Sequence, residues 1–216
     1  MEKKTRIRDL KGKAKIEYIW DYYRWHILLI LIAILFLATR IYDFLSYREP
    51  LFNIVTINLV DMGSNTEAPY EEFFNQYGYD AFEGAVGKQS LYFTGDVESI
   101  NSNFLLLTAL VEARDVDVFF WKGNEFQQFI EDGLLLDLSE VLSDAQLSAC
   151  KEYLIYTSLN GTVTPYPCGI SLEKSQWAME NGYEDSNVGI LFDARNKEIV
   201  MELLQYLIVD DKLCEE

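Results

Sequence analysis

The pairs Glu71-Glu72, Asp115/Asp117 and Asp210-Asp211 bring carboxylates together, the groups that carry general acid and base catalysis or hold calcium. Isolated acidic pairs are normally solvated, and no EF-hand spacing surrounds these. The one histidine, His26, lies at the inner edge of an apolar run. The rest of the chain therefore can build neither a histidine-based triad nor a histidine-ligated zinc site. No serine stands in a G-x-S-x-G elbow, and no G-x-x-x-x-G-K-[ST] phosphate loop occurs. Cysteines number three, Cys150, Cys168 and Cys214. Cys150 and Cys168 flank a predicted hairpin and could close a disulfide, leaving Cys214 free or pairing between chains; three reduced thiols is the alternative. The reactive residues thus predict no enzyme activity, no cofactor and no metal site.

The elements that hold these residues begin with a membrane span. Ile27 to Ala38 has no charged or polar residue, and the flanking aromatics Trp20, Tyr22, Tyr23, Trp25, Tyr42 and Phe44 extend it to the ~20 residues a bilayer needs. Arg24 and Arg40 are placed to snorkel to the two interfaces. Residues 1 to 24 carry eight Lys or Arg against four Asp or Glu, whereas Arg40 and Arg48 past the run are offset by Asp43 and Glu49. That asymmetry predicts a cytoplasmic amino terminus, where basic residues also meet anionic headgroups, and an exported carboxyl terminus. Ala38-Thr39-Arg40-Ile41-Tyr42 offers no small-x-small cleavage site, which favours an uncleaved anchor over a secretory signal. The expected organisation is a basic arm (1–21), a transmembrane signal-anchor helix (22–45), a linker (46–51), an extracytoplasmic α/β domain (52–210) and an acidic tail (211–216).

Residues 50 to 216 hold eight basic and 29 acidic side chains. Such a body repels phosphate backbones and has no basic stripe, so nucleic acid is excluded as a partner; solubility accounts for most of the charge. The length suits one domain. Phe52 to Val60 reads as a buried strand, Tyr70 to Tyr77 as a helix entered through Pro69 and ended by Gly78, and Lys88 to Thr94 as a second strand. Asn101 to Arg114 places Phe104, Leu107, Thr108 and Val111 on one helical face, Asp115 to Trp121 reads as a strand, and Asn124 is expected to cap a short helix with Phe126, Phe129 and Ile130 inward. Strands alternating with helices predict an α/β sheet.

Ala109 to Leu142 resembles a segment of extracellular solute-binding proteins with the type 2 periplasmic-binding fold, in which a helix leads into an aspartate-led strand, a short helix and "G-x-L-x-D-L-S/T-x-x-L". Gly133, Leu135, Asp137, Leu138, Ser139 and Leu142 match that pattern in order. Asn160 to Gly169 is similar to the family's "dG-x-x-y-x-x-P" hairpin, and Asn196, Lys197, Glu198, Leu203, Leu204, Tyr206 and Leu207 follow its closing strand and helix. The resemblance implies one compact α/β domain like a single lobe of that fold. The second lobe would occupy a long insertion, yet only about twenty residues, Ile170 to Asn187, join the hairpin to the last strand.

A single lobe covers one face of a small ligand, so enclosure of a solute is not implied. The fold's logic puts a surviving half-cleft at the carboxyl ends of the strands, with Asp61, Asn65, Asp96, Trp121, Asn124 and Tyr166 as candidate ligand contacts. Two functions are expected. One is a membrane-tethered, non-catalytic interaction or sensing module that meets a permease, another envelope protein or a second copy. The other is the capture subunit of an ABC-type importer for a sugar, amino acid or peptide, completed by dimerisation or working with a shallow site.

Overall fold

In the computed structural model, which describes residues 12–60, 66–159 and 164–209, the chain divides into two compact units between Arg48 and Glu49. The first is α1 (Lys13–Ser46), one helix without interruption. Its stretch Trp20–Tyr42 has a mean hydropathy of 2.1 and none of it is buried, so it is long and apolar enough to cross a membrane. The guanidinium of Arg24 lies over Trp25 and that of Arg40 over Phe36. Helix begins ahead of the expected anchor and takes in Lys13 to Asp21, where Lys13 and Glu17 pair at 3.8 Å. The chain leaves helical geometry at Tyr47.

In the second unit the apolar run after Pro50 becomes β1 (Phe52–Ile57), paired in parallel on one side with β2 (Val86–Leu91) and on the other with β3 (Val118–Trp121). Phe52 and Ile54 point to one sheet face, Val55 and Ile57 to the other, and all are buried. Burial on both faces is why β1 and β3 read as continuous apolar runs and not as alternating ones. Beyond β3 the sheet turns antiparallel through β6 (Asn187–Ile190), β5 (Tyr166–Ser171) and β4 (Leu154–Thr157), giving the order β2-β1-β3-β6-β5-β4. A bulge between Ile155 and Tyr156 bends the edge strand β4. The chain is therefore an α/β protein with a mixed six-stranded sheet.

One face carries α2 (Glu71–Tyr77), α5 (Asp144–Ala149), α6 (Gln176–Asn181) and α7 (Lys197–Val209). Aromatics dominate its packing: Phe52 meets Tyr70 edge-on, Trp177 stacks on Tyr183, the Trp177 indole donates to the Pro69 carbonyl at 2.8 Å, and the Tyr70 and Tyr183 hydroxyls are 3.1 Å apart. The other face carries α3 (Val97–Glu112) and α4 (Gln127–Glu131), which bury Leu107, Phe126 and Ile130. Between β5 and β6 the chain forms only α6.

Several boundaries moved for local reasons. Helix α3 starts earlier than the apolar spacing suggests because Asp96 caps it, accepting from the Ser99 amide at 2.9 Å. Gly78, in the left-handed region at φ 76°, ends α2 as expected. Asn124 does not cap α4: Phe126 holds that position without a side-chain bond, and Asn124 contributes only its carbonyl, to Gln127. Asp137 caps the turn Leu138–Glu140 through the Ser139 amide.

The pairing of Cys150 with Cys168 is not made. Cys150 is disulfide-bonded, while Cys168 is a free, buried thiol. The reason is the sheet between them: Cys150 packs in the core under α5 and α7, and Cys168 in the core under α3 and α4. Cys214, like Asp61 and Asn65, lies outside the described residues.

Candidate functional site

The two connections from β1 and β3 set the geometry of the carboxyl edge. The chain leaves β1 through α2 on one face toward β2, and returns through α3 on the other face to β3. The exits of β1 and β3 thus diverge side by side, the switch-point arrangement that opens a crevice in wound α/β sheets. Asn58 organises it. Its backbone sits at φ 56°, a left-handed conformation that asparagine tolerates better than most residues. Its amide donates to the Leu91 carbonyl at 2.9 Å, its side-chain oxygen accepts from the Phe93 amide at 2.8 Å, and its side-chain nitrogen donates to Glu125 at 3.2 Å. One residue therefore ties together the exits of all three parallel strands.

At the same edge, the Lys122 amide donates to the Ile57 carbonyl at 3.0 Å, and its ammonium meets the Asp185 carboxylate at 3.1 Å. Both side chains are largely solvated, so this ion pair contributes at most about 1 kcal/mol and opens readily. Gly123 follows at φ 85°, turning the chain so that Asn124 and Glu125 stand exposed. Asp96 lies on the same edge. Its carboxylate accepts from both the amide and the hydroxyl of Ser99, which holds it below the ordinary aspartate range. Its oxygens are engaged in holding α3.

Of the residues expected from sequence, Asp96 and Asn124 follow the carboxyl ends of β2 and β3 at this edge. Trp121 ends β3 at this edge, but its indole turns into the core, 3% exposed, and lies across Gly169 and Gly189. A Cβ at Gly169 would meet the ring at 2.7 Å, so the two glycines are the bed on which the indole rests. Tyr166 is on the opposite edge, because β5, antiparallel to β6 as β3 is, runs in the same direction as β3 and begins at the edge where β3 begins. There its phenol is pushed up by burial, with Cys168 and Asp137 adding to the effect.

Asn58 has no place in the sequence reading, and Asp117 enters it as half of a solvated acidic pair, whereas the structure buries it. Asp117 is 1% exposed, and its carboxylate accepts from the Asn53 amide at 2.9 Å, the Asn196 amide at 2.9 Å and the Asn196 side chain at 3.3 Å. It clamps β1, β3 and the entry to α7 at the amino edge of the parallel strands. A usable signal existed for each: a polar residue interrupting the run FNIVTINLV, and the second aspartate of DVD, whose alternation points it inward.

Among the described residues the carboxyl edge offers hydrogen-bond donors and acceptors, the Lys122 ammonium and the carboxylates of Asp96, Glu125 and Asp185. Among the described residues no group of three His, Cys, Asp or Glu is placed to hold a metal. The buried Cys168 thiol is pushed up to about 12 by desolvation and stays protonated at neutral pH. Comparison with family models, curated proteins and solved structures yields no match for this chain.

Proposed function

We propose that this chain is a single-pass, membrane-anchored module whose domain faces outward and works by non-catalytic interaction or sensing, built on a lobe like that of the solute-binding proteins. The observation that carries the reading is the polar edge at the adjoining exits of β1 and β3, formed by Asn58, Lys122, Asn124 and Glu125, in a chain with only α6 between β5 and β6. One wall suffices for a protein surface, whereas a small solute needs enclosure on most sides. The positive-inside asymmetry of the segment before Ile27 supports the outward orientation.

The test uses the full chain in lipid nanodiscs with a photo-crosslinking residue at Asn124. The expected result is one discrete adduct with a membrane protein from the native envelope, lost when Glu125 is replaced by Arg. Saturable thermal stabilisation by a sugar, amino acid or peptide would instead identify the capture subunit of an importer. Protease digestion of sealed vesicles checks orientation: the segment after Arg48 should be cut only from the outer side.

A further inference from the structure

We propose that α1 carries a binding site for one anionic phospholipid, with Arg24 holding the headgroup phosphate at the cytoplasmic end of the span. The helix has a groove of about 380 Å³ lined by Trp20, Arg24, Trp25, Ile27, Leu28 and Leu31. All but Trp25 recur at three- and four-residue spacing, so they share one face of the helix, and Trp25 forms its flank. The volume lies in the range of about 300–1,000 Å³ that small-molecule sites occupy.

The lining changes character along the helix axis as a phospholipid does. Trp20 and Trp25 stand where the apolar stretch begins, and indoles settle at headgroup level. Arg24 lies beside them, its guanidinium 5.9 Å from the centre of the Trp25 ring. From there Ile27, Leu28 and Leu31 continue for about 10 Å toward the middle of the span, along the path of an acyl chain. Among the described residues no carboxylate pairs with Arg24, and Asp21, the nearest in sequence, is outside the lining. A guanidinium so placed offers parallel N–H donors to a phosphate, and the apolar wall beside it strengthens the contact.

Charge selects the occupant. A second copy in the same membrane presents its helix parallel and at equal depth, so docking on this face would set Arg24 against Arg24, where like charges repel. A zwitterionic headgroup offers the phosphate but brings its own cation toward the guanidinium. Bulk lipid wets every face of a helix alike, whereas the far side at this depth carries Leu29 and no guanidinium. Arg40, near the other end of the span, lies over Phe36 and outside the groove. Placing the site in the cytoplasmic leaflet rests on the orientation proposed above; the contact with the lipid does not.

The test titrates the full chain in detergent micelles with phosphatidylglycerol while native mass spectrometry counts bound lipids. The expected result is one lipid per chain at saturation, with a midpoint about fivefold higher for Arg24→Gln and unchanged for Arg40→Gln. Arg24→Lys, which keeps the charge and loses the fork, should fall between the native chain and Arg24→Gln. A photoactivatable phosphatidylglycerol, its diazirine near the head of the acyl chain, should label the native chain at Leu28 and Leu31 in preference to Leu29. Equal labelling around the helix, equal affinity for phosphatidylcholine, or an unchanged midpoint in Arg24→Gln would each overturn the proposal. So would equal binding of glycerophosphoglycerol, the same headgroup without acyl chains, or a lipid-free dimer cross-linked through Leu28. Each of these outcomes leaves the orientation standing, because sealed-vesicle proteolysis reads that separately.

Discussion

Asp117 shows how one side chain can hold a topology. Its carboxylate satisfies two backbone amides from segments far apart in sequence, so Asp117→Ala would leave those donors buried without a partner. We expect a loss of roughly 2–4 kcal/mol in urea denaturation of the full chain. Cys168 gives a second residue-scale prediction. An unfolded chain releases the thiol proton near 9.0, while the folded protein holds it up to about 12. The contribution to stability is complete below the unfolded value and is lost as pH rises through the folded one. Denaturation midpoints of the native protein should fall more steeply between those limits than those of Cys168→Ala. In the folded protein at neutral pH, Cys168 should resist maleimide until denaturant is added.

Glycine at two strand positions decides how β3, β5 and β6 pack. Side chains at Gly169 and Gly189 would occupy the space of the Trp121 indole, and the Val188 and Cys168 carbonyls crowd the same positions. Gly169→Ala should cost roughly 1–3 kcal/mol through overpacking and shift the tryptophan fluorescence as the indole is displaced. The helices teach the complementary lesson. Gly78, Asp96 and Asp137 act through their nearest neighbours in sequence: Gly78 ends α2 as expected, while Asp96, expected as a ligand contact, caps α3, and Asp137 caps the turn Leu138–Glu140. Asn124 had the right chemistry for a cap, but the turn after Gly123 spent its carbonyl on Gln127 and left the side chain in solvent.

For the whole molecule, α1 and the folded domain obey different solvents. The Trp20–Tyr42 stretch is apolar with none of it buried, which is stable where lipid covers it. Arg placed at both Leu31 and Leu35 should oppose insertion by about 2.5–3.5 kcal/mol each. The double variant should leave the membrane fraction on carbonate extraction, while the native chain stays.

What the sequence determined by itself is whatever depends on local order. That covers the apolar span, the basic-to-acidic asymmetry, the alternation of strands and helices, and the glycine and aspartate punctuation, all of which act over a few residues or along one element. Tertiary structure alone decided the rest. The place of β5 beyond β6, running in the same direction as β3, put Tyr166 on the edge opposite Trp121, and the sheet set Cys150 and Cys168 on opposite faces. It also brought Asn53 and Asn196 onto Asp117, and the exits of β1, β2 and β3 onto Asn58. Each of these depends on which strands lie side by side, and neighbours in a sheet are chosen by burial of whole faces, a property that no short stretch of chain carries.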